Sequence, residues 1–340
     1  MSLSAASLRK FSKSGSRPLP PAEPGSRSRR PIPGPTSPAQ FFSILAFSLL
    51  RKPMFVDPSV KAGLYLCAAA AGSLIFDFVK MPPCYFSNKR NALNLIFVKW
   101  GWAWTFCSLT AFIIISTYIY TGANKRLLRA HLMRLLVGSA CWYVCTGVFN
   151  TVESTFGSCY NQNGTLLKAP FRTFTRRSCR QAKGFWLGFD ISGHCFLLTM
   201  SNLWILEELC VMRSWGVLGA LLDANTQNDE LAKTPTAVPR LPNVSPETVQ
   251  TMRSAYSRLT MNLRTVFCTT ACISLLWDFM FLITIIYFHS MPSKLLGTSV
   301  GISCWFVCYR CLFPHLEVGA FGGLAPGMPG DGPVHFVARR

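Results

Sequence analysis

The chain has 340 residues, 50% of them hydrophobic and 14% charged, with a formal net charge of +20; its mean hydropathy is +0.30. Soluble domains carry about 25% charged residues, so the deficit excludes an ordinary soluble enzyme and points to the membrane. The positive charge does not argue for nucleic acid. The basic residues flank apolar runs, as the positive-inside rule expects, and no nucleic-acid module is visible.

Residues 1–40 are rich in Ser, Pro, Gly and Arg, with Glu23 as the only acid. Such a composition cannot build a core and is expected to form a disordered basic arm. An organelle transit peptide shares that composition, but the apolar spans that follow suffice for membrane targeting, so a cytosolic tail is the reading taken. The stretch 41–58 holds an apolar run, Phe41 to Leu50, that is too short to cross a bilayer, since about 20 apolar residues are needed. It is expected to lie along the interface. Six spans follow within 59–315, at 59–79, 96–119, 131–152, 185–209, 263–288 and 296–314. The fold class is therefore an all-α polytopic membrane protein with six transmembrane helices and both termini on one side. No internal repeat is evident.

Orientation comes from loop charge. Arg27, Arg29, Arg30, Arg51 and Lys52 precede the first span, and Lys125, Arg126 and Arg129 follow the second. These segments belong in the cytosol, which leaves residues 80–95, 153–184 and 289–295 on the lumenal side. Against this, loop 153–184 also carries Lys168, Arg172, Arg176, Arg177, Arg180 and Lys183. The same loop holds Cys159, Cys179 and the sequon Asn163-Gly164-Thr165. A cysteine pair beside a glycosylation sequon points to an oxidising, glycosylating compartment, hence the endoplasmic reticulum. The other cysteines, Cys141, Cys145, Cys268, Cys272, Cys304, Cys308 and Cys311 among them, lie in apolar runs at helical spacing and read as small packing residues. No zinc-like spacing appears. Residues 213–262 read as a mostly irregular cytosolic connection with an amphipathic lead into the fifth helix, and the Gly/Pro-rich tail 316–340 as disordered.

Five histidines are present. His131 begins a span on the cytosolic side, and His315 and His335 belong to the tail. His194 opens the fourth span and His289 closes the fifth, so two imidazoles distant in sequence reach one membrane face. "SGH" alone marks a turn into a helix, and a histidine at a span end is ordinarily interfacial; it is their joint placement that points to chemistry. A histidine pair can transfer a phosphoryl group without a metal. One imidazole attacks phosphorus, and the other protonates the leaving oxygen.

Such a site needs donors and positive charge for the phosphate oxygens. If Ser192 caps the fourth helix, the free N–H groups of Gly193, His194 and Cys195 face the lumen and hold an anion. Gly193 allows close approach to the backbone. Lys89 and Arg90 lie in the preceding lumenal loop, and Lys99 snorkels back to it. Asp190 has two readings. It orients His194 if the helix already runs at 189, or lies outside the helix if Ser192 is the cap. Asp278, eleven residues before His289 and roughly 16 Å deeper, reads as a polar contact inside the bundle.

The blocks "SNKRNALNLIFVK", "WAWTF", "GSCY", "GFWLGFDISGHCFLLT" and "IIYFH", in this order and spacing, resemble the fat storage-inducing transmembrane (FIT) protein family over about residues 60–315. The "FDISGH" wording is similar to the second, broadly expressed vertebrate branch. The resemblance implies a polytopic membrane protein of the endoplasmic reticulum that promotes lipid-droplet formation, with a bundle and site distantly like the lipid phosphate phosphatases. It implies cleavage of fatty acyl-CoA at its diphosphate, giving acyl 4′-phosphopantetheine and adenosine 3′,5′-bisphosphate, and binding of triacylglycerol and diacylglycerol. The family's two histidines fall on His194 and His289; by likeness to the phosphatases, His289 is the nucleophile and His194 the acid. The sequence departs from the phosphatase pattern at Ile191, where Pro stands before Ser-Gly-His, and at Ser293, where an Asp stands four residues after the second His. The Ser-Arg upstream of that His is also missing. The expectation is thus an acyl-CoA diphosphatase without a metal or other cofactor, and the alternative is a non-enzymatic protein that partitions neutral lipid into droplets.

Overall fold

The computed structural model describes residues 37–167, 175–231, 244–316 and 325–333. Residues 1–36 of the expected basic arm 1–40, Lys168 and Arg172, residues 232–243 and His335 lie outside the described residues.

The main elements of this described part are α1 Pro38–Met54, α2 Pro58–Phe78, α3 Gly101–Tyr120, α4 Lys125–Phe156, β1 Ser158–Tyr160, α5 Arg176–Gln181, β2 Phe185–Leu187, α6 Gly193–Leu209, α7 Trp215–Leu231, α8 Pro246–Tyr287 and α9 Met291–Phe306, with shorter helical turns between them such as Leu93–Val98. Six helical stretches are long and apolar enough to cross a membrane, and they match the six expected spans: 58–78, 101–120, 125–156, 193–223, 246–287 and 291–315. Alpha-helices satisfy all their backbone polar groups internally, which is why they are the structures that cross lipid here.

The bundle is built around α6. Its span is 94% buried inside the protein, against 22–44% for the other five. Helices α3, α8 and α9 pack against it. A helix buried on every side needs no polar face, and α6 has none. Three of its polar side chains instead meet partners on neighbouring elements. Asn202 donates to the Ser274 carbonyl at 3.1 Å and to Asp278 at 2.8 Å on α8. Glu207 accepts from Trp305 at 3.0 Å and pairs with Arg310 at 2.6 Å, and Glu208 pairs with Arg134 of α4 at 2.6 Å. Polar contacts of this kind fix the register of helices in lipid, where apolar packing alone is not selective.

The contact of α6 with α9 rests on two glycines. A Cβ on Gly297 would stand 2.4 Å from the Ser192 carbonyl, and one on Gly301 would stand 2.8 Å from the Phe196 carbonyl. Their spacing of four places both on one face, so the backbones touch as in small-xxx-small helix pairs. The cysteines read as packing residues lie partly in a second seam: Cys141 and Cys145 of α4 face Cys308 and Cys304, with Sγ–Sγ distances of 3.9 and 3.6 Å.

Three expectations are corrected. Residues 185–192 do not belong to the fourth helix. Phe185–Leu187 pairs with β1, residues 188–192 are in no regular element, and the helix starts at Gly193. The run is apolar, yet Phe185 and Leu187 are exposed on the ribbon. The connection 213–262 is not mostly irregular: α7 fills its start, and α8 begins at Pro246, capped by Ser245, which accepts from the Thr248 N–H at 3.3 Å. The first turns of α8 are amphipathic, with Met252, Ala255 and Leu263 buried beside exposed Arg253. Finally, part of the tail is docked. Ala325 and Met328 are buried, the Gly327 carbonyl accepts from Arg134, and His131 meets the Asp331 carbonyl at 2.8 Å. The stretch 41–58, expected to lie along the interface, is helical as α1 only as far as Met54; α1 starts at Pro38, inside the expected arm, and packs along α8 with Phe47 on Phe267 at 5.0 Å between ring centres.

Candidate active site

Ser192 is the N-cap of α6. Its hydroxyl accepts the Cys195 N–H at 3.3 Å, leaving the first helical residues to begin at Gly193. This decides between the two readings of Asp190, which lies outside the helix. The cap itself is buried, and its backbone is held from α9: the Ser192 N–H donates to the Ser293 carbonyl at 3.2 Å, and the Ser293 hydroxyl donates to the Asp190 carbonyl. The Gly297 contact at the Ser192 carbonyl completes this clamp. The start of α6 and the start of α9 are therefore positioned as one unit.

Between α8 and α9 only Phe288, His289 and Ser290 make the turn. His289 adopts φ +57°, the left-handed region that costs a non-glycine residue of order 1–2 kcal/mol. Strained backbone of this sort gathers at functional sites. Here it carries the imidazole toward the start of α6, where Asp190 Oδ2 stands 3.6 Å from His289 Nδ1.

His194 and His289 line one cavity of about 240 Å³, with Lys89, Asn94, Asp190, Gly193 and Phe288. Gly193 has open space where a Cβ would be, so its backbone is bare toward the cavity. Of the basic residues expected at the site, Lys89 lines the cavity. Arg90 and Lys99 are exposed and line neither this cavity nor the one beyond His289. Burial pushes the pKa of His289 below the ordinary imidazole value; Asp190 opposes that shift, while Lys89 and Lys294 add to it. A neutral ring with Nδ1–H directed at a carboxylate leaves Nε2 as the free lone pair.

Sequence reasoning missed two residues here. Asn94 accepts from His194 Nε2–H at 3.0 Å, while its own Nδ2 donates to the Lys89 carbonyl at 2.7 Å. The second bond sets which way the amide points, and so places the His194 proton on Nε2. Lys294 is buried in α9, donating to Asp77 Oδ1 at 3.2 Å and to the Ile285 carbonyl at 2.9 Å. An ionisable residue at the edge of a span was the available signal for it. Nothing local marks Asn94.

Asp278 is held away from the cavity by Lys61 at 2.8 Å, by Tyr65 and by Asn202. Cys159 and Cys179 form a disulfide that ties β1 to α5, with Cα atoms 5.6 Å apart, and Asn163 is exposed in the turn that follows β1. Among the described residues no three His, Cys, Asp or Glu side chains gather as a metal-ligand set.

The family model described as fat storage-inducing transmembrane protein (FIT) matches residues 82–309. The chain belongs to the FIT family. That match takes in every residue of the cavity. The family assignment is borne out by relatives named acyl-coenzyme A diphosphatase FITM2. The Drosophila melanogaster protein is 34% identical over 311 residues, covering 91% of this chain and 70% of its own. The human protein is 36% identical over 259 residues, covering 76% and 82%, and the mouse protein is 35% identical over 264, covering 78% and 84%. No solved structure matches the chain. Like its family, it is a multi-pass membrane protein.

Proposed function

We propose that this chain is a hydrolase of the endoplasmic reticulum membrane, with both termini cytosolic. It cleaves the diphosphate of fatty acyl-CoA to acyl 4′-phosphopantetheine and adenosine 3′,5′-bisphosphate, and so supports lipid-droplet formation. The observation that carries this reading is the meeting of His194 and His289 in one small polar cavity, with a carboxylate behind one ring and an amide behind the other. The names of the relatives supply the substrate class.

His289 attacks phosphorus through Nε2, with Asp190 holding the Nδ1 proton and stabilising the imidazolium that forms. In the lipid phosphatase pattern that carboxylate stands four residues after the nucleophile. Here Ser293 takes the position and Asp190 supplies the group from the α6 side, which keeps the chemistry with a different residue. The P–O bond to the bridging oxygen breaks, and His194, as the imidazolium with Nε2–H kept on Asn94, protonates that oxygen from Nδ1 and returns to the neutral ring. Water then attacks the phosphorus, releasing His289. Lys89 and the free N–H groups at Gly193 and His194 face the equatorial oxygens, where charge stabilisation matters most. No step calls for a metal ion.

Purified protein given oleoyl-CoA in the presence of chelator tests the reading. Release of adenosine bisphosphate by the wild type and its loss, by at least 10²-fold, in His194→Ala and His289→Ala are expected. Equal release by all three proteins would refute the assignment. The neutral-lipid alternative finds support in an apolar groove of about 510 Å³ lined by Val152, Phe156, Leu187, Gly188 and Phe189. Triacylglycerol or diacylglycerol binding with no hydrolysis in any of the three would favour it.

A further inference from the structure

His289 lines a second cavity as well. This one measures about 430 Å³ and is formed by the end of α2, the residues after it, and the α8–α9 turn, with Asp77, Lys80, Tyr287, Ser290 and Lys294 in its wall. The cavity shared with His194 is too small for a whole CoA head, since pockets for drug-sized ligands already run from about 300 to 1,000 Å³. The second falls within that range. Its charges are unequally engaged. Both Asp77 oxygens are used, one by Lys294 at 3.2 Å and one by the Met291 N–H at 2.8 Å. Lys80 has no ion-pair partner among the described residues and is exposed. A polar cavity with one uncommitted ammonium thus adjoins the nucleophile. The apolar groove is built from other elements, the end of α4 and the link from β2 to α6, beside Asp190.

We infer that the second cavity takes the nucleotide half of acyl-CoA, with Lys80 contacting its 3′-phosphate, and that His289 therefore attacks the phosphorus on the adenosine side. The inference rests on the proposed diphosphatase activity and extends it to the direction in which the substrate lies. The acyl 4′-phosphopantetheine half is the leaving group. It departs toward His194, with its acyl chain directed to the apolar groove. The bond formed is His289 Nε2–P, and the bond broken is that between this phosphorus and the bridging oxygen. The electron pair leaves on acyl 4′-phosphopantetheine, which takes its proton from His194. Water then displaces His289, and its oxygen ends in the 5′-phosphate of adenosine 3′,5′-bisphosphate.

Two measurements on the full-length protein test this. Turnover of oleoyl-CoA in ¹⁸O-water is expected to label adenosine bisphosphate, and label in acyl 4′-phosphopantetheine instead would overturn the assignment. Wild type is expected to prefer oleoyl-CoA over oleoyl-3′-dephospho-CoA by about tenfold in kcat/KM, the factor given by one charge-assisted contact. In Lys80→Gln that ratio is expected to fall toward one. A ratio unchanged by Lys80→Gln would overturn the subsite, and so would a shift that appears only in vesicles containing anionic phospholipid, which would assign the cavity to a lipid headgroup. No turnover of either thioester by the wild type would sink the diphosphatase reading itself.

Discussion

Where α6 ends, Arg134 and Glu208 are each 1% exposed and joined by two contacts of 2.6 Å. Where α6 begins, Asp190 is 57% exposed and stands 3.6 Å from a half-buried His289. At the first end both buried glutamates are paired, Glu208 with Arg134 and Glu207 with Arg310. Tyr309 and the Gly327 carbonyl complete the Arg134–Glu208 pair, and His131 and Asp331 seal the docked tail over it. The second end leaves charges loosely held around two cavities and keeps a histidine in left-handed backbone. One helix thus carries a closed polar network that fixes the bundle at one terminus, and an open one able to accept a ligand at the other. Saturated hydrogen bonding rigidifies, whereas a site for an anion requires donors without a fixed partner.

The largest effect should come from breaking the closed end. Arg134→Ala leaves Glu208 buried without its cation and is expected to cost about 3–5 kcal/mol, read as a lower midpoint in thermal unfolding in detergent. The diphosphatase rate per folded molecule should stay close to wild type. A strong loss of rate without loss of stability would erase the contrast between the ends.

At the open end the expected signs reverse. His289→Gly removes the strained side chain and is expected to abolish hydrolysis while stabilising the fold by about 1 kcal/mol. A destabilised variant would mean that the left-handed turn is held by the imidazole rather than imposed on it.

The smallest effects are in pH dependence. In the proposed mechanism attack needs neutral His289, whose pKa is lowered by burial, so the acid limb of kcat/KM is expected below pH 6.5, with activity lost as pH falls through it. Asp190 raises this pKa and Lys89 lowers it. Asp190→Asn should therefore move the limb further down and Lys89→Gln should move it up. Shifts of the same sign in both would contradict the geometry around His289.

How much of this was legible in the sequence follows from what each feature depends on. The six spans are composition and length, and both show in a single chain. The pairing of His194 with His289 needs only the order and direction of those spans. The start of α8 at Pro246 was hidden because its first turns alternate Met252 and Ala255 with arginines, which lowers the hydropathy that marks a span. The strand Phe185–Leu187 was hidden for the opposite reason, being apolar enough to pass as helix. The placement of Asp190 behind His289 depends on Gly297 and Ser293 of α9 meeting Ser192 and Asp190, and the docked tail on Arg134 reaching the Gly327 carbonyl. Both are tertiary contacts with no local signature.

The division of labour between the two imidazoles is tested most directly by trapping. Enzyme quenched in alkali during steady-state turnover of oleoyl-CoA is to be digested and its histidine peptides weighed. The account predicts a phosphorus-linked adduct on the His289 peptide and none on the His194 peptide. An adduct on His194, or an actively hydrolysing enzyme with no adduct on His289, would contradict it.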